Sequence, residues 1–243
     1  MKDKPISGQI RPVGGYPFYS DICTMKILVT AATPFEIKPF SDYLSGHHHP
    51  DIQITTLVHG IGMMHTAYHL GRHLAGTRPD LVIQAGIAGC FDHSWEMGKT
   101  VIIEREQFGD LGVEDDLAFK DLFETNLWQP DQPPFTNKQL VNLFDGVPDL
   151  PALEQVSGVT INTVSGSERT RQKLVDKYNP AVESMEGAAF HYACLLEKIP
   201  FFQLRSISNY VEVRDKSRWK IPLAIQQLNE TLITYIEHLR QIH

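Results

Sequence analysis

The chain has 243 residues, 42% of them hydrophobic, with 22 basic and 29 acidic side chains and a formal charge of −7. That size and apolar content support one sizeable α/β domain with its own core, and the negative balance argues against an extended nucleic-acid-binding surface. Cys23, Cys90 and Cys194 form no CxxC pair, which points to the reducing cytoplasm rather than a disulfide framework, and no apolar run approaches the roughly 20 residues of a membrane span.

Residues 1–24 are rich in Gly, Pro and polar side chains and lack the apolar centre of a signal peptide. They read as an extension outside the core, leaving 25–243 as a single domain. Met25–Ala31 is a short run rich in branched residues, the mark of a buried strand. Thr33 can cap a helix whose first turn holds Pro34, running to about Leu44. His47-His48-His49-Pro50 is a loop. Ile52–Val58 is a second strand closed by Gly60, and Gly62 to about Leu74 has helical spacing in Met63, Ala67, Leu70 and Leu74.

Leu81–Ala85 is a third strand, ending in a tight glycine-bearing turn, Gly86-Ile87-Ala88-Gly89. Thr100–Arg105 is a fourth strand. The stretch 107–155, with its acidic run and prolines, predicts long loops and one short helix. Val156–Val164 is a strand, Glu168–Lys177 a charged helix, and Phe201–Ile207 a strand. The last helix runs from about Pro222 to Arg240, with a stripe of Ile225, Leu228, Leu232, Ile236 and Leu239. Alternating strands and helices predict an α/β fold with a mostly parallel sheet covered on both faces. Ligands of such sheets sit beyond the carboxyl ends of the strands.

Several residues near those ends carry chemistry. Glu36 can deprotonate a water, although its spacing from Thr33 also explains it as a capping-box glutamate. Glu186 can accept from two neighbouring sugar hydroxyls, or can be an ordinary first-turn acid favoured by the helix dipole. Met185 beside it offers an apolar surface to a sugar, or is plain core. Arg205 lies in an apolar strand and needs a partner: a structural ion pair, or a water or carboxylate to orient. The Asn209 amide can donate to a ring nitrogen or accept from a ring NH, or Ser208-Asn209 is merely a turn. Together these suit cleavage of a nucleoside's glycosidic bond. His65, His69 and His73 share a helix face, but without an HExxH-type signature they read as surface rather than as a metal site. No metal or organic cofactor is expected.

The Glu36 segment, Gly60-Ile61-Gly62, the turn Gly86 to Gly89, Met185-Glu186-Gly187 and Arg205-Ser206-Ile207-Ser208, in that order, resemble the purine nucleoside phosphorylase/nucleosidase superfamily, and its nucleosidase branch most closely. The resemblance runs from Met25 to the C-terminus and implies a three-layer α/β/α sandwich around a twisted mixed sheet. The methylthioadenosine/adenosylhomocysteine nucleosidases of that branch carry an Asp where this chain has Asn209. An amide cannot protonate a leaving adenine, but it can donate and accept at once, which favours a 6-oxopurine. Gly62 to Tyr68, Ala85 to Phe91, Phe108 to Gly112 and Ser208-Asn209 look like the futalosine hydrolase family of menaquinone biosynthesis, whose substrate carries hypoxanthine.

Carried over residue by residue, the resemblance implies that Glu36 activates water with help from Arg205, and that Met185 and Glu186 hold the ribose. Asn209, with Ser208, binds the base. Ile87, Ala88 and Gly89 line the pocket with Gly166. Separately from the resemblance, Arg214 or Arg218 is expected to meet the substrate's far carboxylate, because both follow Asn209 closely in a rim loop. The Arg and Ser that bind phosphate in the phosphorylases correspond to Gln84 and Ile87, so water is the expected nucleophile. A phosphorylase, an adenine-releasing nucleosidase and a non-catalytic nucleoside-binding protein are the rivals. The partner expected is a small nucleoside, with no nucleic acid and no membrane. Relatives imply a homodimer or higher homo-oligomer.

Overall fold

The computed structural model describes residues 24–47, 50, 52–116, 118–144 and 153–242. The extension expected over 1–24 lies outside the described residues except for Thr24, as do His48 and His49 of the histidine loop. In chain order the elements are β1 (Met25–Ala31), α1 (Lys38–Gly46), β2 (Ile52–Val58), α2 (Met63–Gly76), β3 (Leu81–Cys90), β4 (Thr100–Phe108), β5 (Gly112–Asp115), β6 (Ala118–Asp121), β7 (Leu140–Val141), β8 (Gln155–Thr160), α3 (Glu168–Tyr178), β9 (Val182–Ser184), α4 (Gly187–Glu197), β10 (Phe201–Tyr210) and α5 (Ile221–Ile242).

The alternation in β1 divides the core between two faces. Ile27, Val29 and Ala31 pack with Ile37, Phe40 of α1, and Leu228, Leu232 and Ile236 of α5. Leu28 turns the other way, onto Leu70 and Leu74 of α2 and Phe190 and Cys194 of α4. A strand buried on both faces needs a continuous apolar run, which is what Met25–Ala31 supplies. Helices therefore cover both faces of the sheet.

β1 lies between β2 and β3, parallel to both. β3 pairs in parallel with β10, β10 antiparallel with β4, β4 in parallel with β8 and β8 in parallel with β9. β9 then pairs antiparallel with β3. The run β3–β10–β4–β8–β9 thus closes into a ring of strands around a cluster that includes Ala88, Val101, Ile103, Val156, Val182 and Ile207. The fold is α/β with a mixed sheet in which parallel pairings predominate.

Several expectations are corrected. Gly86 to Gly89 is not a turn: β3 runs straight through it to Cys90. Its glycines answer to side chains crossing from β10, as the site geometry shows. The irregular stretch contains a hairpin, β5–β6, and the short β7, with no helix among its described residues. β8 stops at Thr160 rather than Val164. α1 starts at Lys38, four residues after Pro34, with Pro39 in its first turn, where the missing N–H costs no helical bond. In α2, Leu70 and Leu74 are buried while Ala67 is exposed. His65 and His69 are also exposed, and no described cluster of three or more His, Cys, Asp or Glu could hold a metal ion. No described helix is long and apolar enough to cross a membrane.

Candidate active site

A cavity of about 450 Å³ opens beyond the carboxyl ends of β1, β3, β9 and β10. It brings together Glu36, Ile87, Ala88, Gly89, Met185, Glu186, Ser208 and Asn209 of the residues singled out in the sequence. Thr33, Phe35, Ile61, Val164, Glu183, Ser184, Trp219, Ile221 and Ile225 complete much of the wall. Ile225, expected in the apolar stripe of α5, faces this space instead. Arg205 lies beneath it, and Gly166 and Arg214 stand outside it. Gly166 lines an adjoining hollow of about 980 Å³ that shares Val164 with the cavity, and a methyl placed on Gly166 would lie 3.7 Å from Arg214 Cβ.

The buried charges gather at one end. Arg205 is 1% exposed, Glu36 7% and Glu186 6%. Thr33 donates to Glu36 Oε2 from its backbone N–H at 2.9 Å and its hydroxyl at 3.0 Å. Ile87 N–H donates to Glu36 Oε1 at 3.2 Å. The capping-box relation is therefore half present: Glu36 reaches back to Thr33 N–H, but the threonine hydroxyl donates to the carboxylate rather than accepting from the helix. Burial raises the Glu36 pKa above 4.5; Arg205 opposes the rise and Glu186 adds to it.

Glu186 sits between helix and strand. Its Oε1 accepts from Gly62 N–H at 3.0 Å, and its Oε2 lies 3.5 Å from Arg205 Nη1. Gly62 can present that N–H because its φ is 89° and that of Gly60 is 95°, a region that other residues seldom adopt. Arg205 Nη2 donates to Gln84 Oε1 at 2.9 Å and Nη1 to the Ile87 carbonyl at 3.4 Å. The guanidinium packs against Gly86, where a Cβ would lie 2.2 Å from Nη1. Gly86 is thus glycine for close approach.

The floor beneath is polar and closed. Gln84 Nε2 lies 3.3 Å from His59 Nε2, and Thr66 Oγ1 lies 3.1 Å from His59 Nδ1. Burial lowers the His59 pKa, which keeps the ring neutral. Further along β10, Gln203 Nε2 donates to Glu106 Oε1 at 3.0 Å and Thr160 Oγ1 to Oε2 at 2.9 Å. Burial pushes Glu106 up to about 7 despite those bonds. Thr160 Oγ1 also accepts from Ala188 N–H at 2.7 Å, tying the start of α4 to this network.

At the other end stands the Asn209 amide. Its Oδ1 accepts from Ser208 Oγ at 2.8 Å and its Nδ2 donates to the Tyr210 carbonyl at 3.0 Å. One amide hydrogen and one Oδ1 lone pair are left over. Across Gly89 from it stands Glu183, 5% exposed. Burial raises its pKa, and two bonds from Ser165 oppose that.

Sequence reasoning paired Thr33 with Glu36 as a capping box without the hydroxyl bond to the carboxylate, and it missed Glu183, Trp219 and Ile61 as lining residues. Glu183 had no local signal, because the three-residue strand β9 that buries it is defined by its pairings with β3 and β8. Trp219 and Ile61 had none, because apolar residues at element ends are ordinarily core.

The family model described as the phosphorylase superfamily matches residues 26–238. A futalosine hydrolase of Thermus thermophilus is 28% identical over 176 residues, covering 70% of this chain and 75% of that protein. A futalosine hydrolase of Acidothermus cellulolyticus is 30% identical over 187 residues, covering 71% of this chain and 70% of that protein. A solved futalosine hydrolase from Helicobacter pylori superposes with a TM-score of 0.73 over 89% of this chain and 99% of that one, at 16% identity, which speaks to fold alone.

Proposed function

Because the chain belongs to the phosphorylase superfamily, we propose that it hydrolyses the N-glycosidic bond of a 6-oxopurine nucleoside. The substrate is futalosine, as the names of its relatives suggest, and the products are hypoxanthine and dehypoxanthine futalosine. The observation that carries this is one cavity with a buried carboxylate, Glu36, held beside an Arg205–Glu186 pair at one end, and a side-chain amide at the other.

The chemistry follows from those groups. The bond from the sugar's anomeric carbon to the base nitrogen breaks, and its electron pair leaves with the base. Glu36 takes a proton from water, whose oxygen joins the anomeric carbon. The lone pairs of Glu186 not taken by Gly62 and Arg205 receive the ribose hydroxyls, with Met185 against the sugar. Asn209 donates to a ring nitrogen as charge builds on the departing base, and its oxygen can accept from a ring NH. Arg205 holds Glu186 and offsets the charge of Glu36.

Gln84 supports hydrolysis over phosphorolysis. By the resemblance it corresponds to the phosphorylases' phosphate-binding Arg, and its amide is already committed to Arg205 and His59. Base release from futalosine should proceed equally with and without phosphate. A strict phosphate requirement, with a sugar 1-phosphate as product, would overturn the reading.

Asn209→Asp should move kcat/KM toward the 6-amino analogue of futalosine by at least about tenfold, roughly 1.4 kcal/mol in the transition state, because a carboxylic acid can protonate a leaving adenine. Competition between the two substrates measures it; an unchanged ratio removes the amide's role.

At the far end Arg218 is paired with Glu212 at 2.6 Å. Arg214 instead lies 5.7 Å from the ring of Trp219, which lines the cavity, so Arg214 is the better partner for the substrate's benzoate. Arg214→Ala should raise KM for futalosine about tenfold and leave inosine unaffected; equal effects on both would sink this assignment. The exposed side chains Phe35, Ile61, Met64 and Tyr68 support a homo-oligomer, and the free, buried Cys90 and Cys194 suit the cytoplasm. The two core clusters on opposite faces of β1 support a three-layer description of the fold.

A further inference from the structure

Glu183 of β9, Gly89 of β3 and Asn209 of β10 are direct partners across three adjacent strands. Side chains of such partners rise from the same face of a sheet. Gly89 has no side chain, so Asn209 and Val211 lean over it toward the Glu183 strand. A methyl placed on Gly89 would come 3.0 Å from Asn209 Nδ2 and 3.0 Å from Val211 Cγ2, so the amide occupies this face of the glycine. Glu183 belongs to the same face: Val159, its register partner on β8, clusters with Val211.

Both side chains line the cavity. Ser165 N–H donates to Glu183 Oε1 at 3.0 Å, and Ser165 Oγ donates to Oε2. A carboxylate offers about four acceptor positions, so about two are left for the cavity.

We propose that Glu183 is a specificity-determining residue: it accepts from the ring N1–H of a 6-oxopurine, while Asn209 donates to the ring nitrogen on the opposite edge. This rests on reading the cavity as a purine nucleosidase site. A 6-aminopurine presents a bare N1 lone pair to the carboxylate, and a buried acceptor left unpaired penalises that base.

The test compares wild type with Glu183→Gln and Ser165→Ala, by calorimetric titration with free hypoxanthine and free adenine. Glutamine keeps both bonds to Ser165, its carbonyl accepting from the backbone N–H and its amide donating to Oγ, so an anchoring role survives the change. Wild type should prefer hypoxanthine by about 100-fold or more. Glu183→Gln should reduce that preference at least tenfold, because its amide can donate to N1 of adenine. Ser165→Ala, which keeps the carboxylate, should retain the preference. An unchanged preference in Glu183→Gln, an equal loss for both bases, or an equal collapse in Ser165→Ala would make Glu183 only an anchor and overturn the proposal. Wild type that binds hypoxanthine without releasing it from futalosine would sink the nucleosidase reading alone, because the titrations still decide the role of Glu183. Wild type that binds neither base overturns both.

Discussion

Glu36→Gln should lower kcat on futalosine by about 10²–10⁴-fold, the usual contribution of a positioned general base, with KM and thermal stability changing little. The amide is isosteric and its carbonyl can still accept from Thr33 or Ile87, so the β1–α1 connection survives. It cannot take a proton from water. The acid limb of kcat/KM in the wild type should follow from the same group. A general base works only when deprotonated, so activity rises with pH through its pKa. Burial raises that pKa above 4.5, so the limb should lie above the range of an ordinary glutamate, and it should vanish from whatever activity Glu36→Gln retains. Near-normal turnover in the variant would reduce Glu36 to a holder of Thr33.

Arg205→Leu should cost both stability and activity. Its guanidinium lies in the buried charge cluster with Glu36 and Glu186 and fills the space over Gly86. Removing one partner of a buried pair costs about 3–5 kcal/mol, which for a domain of this size corresponds to a fall in Tm of roughly 10 °C. The pH dependence gives a second readout. Arg205 lowers the Glu36 pKa, so its loss raises that pKa further and moves the acid limb of any residual activity upward. A carboxyl group whose folded pKa exceeds its unfolded one makes the folded state bind more protons, so stability declines as pH rises through that window. The deficit of the variant relative to wild type should therefore be largest near neutral pH and should narrow below about pH 4.5. A deficit independent of pH would mean that lost packing, not unbalanced charge, dominates.

The sequence is most legible where residue type and position cannot both be satisfied by packing. An arginine inside Phe201–Ile207 demanded a partner, and it has Glu186, Gln84 and the Ile87 carbonyl. The paired readings of Glu36 are not exclusive: one carboxylate oxygen binds Thr33 and the other Ile87, and the same carboxylate lines the cavity. The glycines of β3 misled because glycine marks both turns and close approaches. Only the register with β10 shows that Gly86 makes room for Arg205 and Gly89 for Asn209. Closure of the strand ring had no local signal, since it depends on β9 meeting β3 across about ninety residues of chain. Glu183 belongs to that non-local pairing, which is why it surfaced only with the register.

The place of β10 between β3 and β4 also bears on how the polypeptide is made. As the chain emerges from the ribosome, β3 and β4 must wait with an open edge each until residues 201–210 appear and slot between them. Arg205 and Asn209 arrive in that same late segment. Assembly of the interior and completion of the reaction centre are thus a single event, and a nascent chain short of Phe201 has neither. Such a late insertion of a middle strand, with its high sequence separation, predicts slow folding and a period of dependence on chaperones that shield unpaired strand edges.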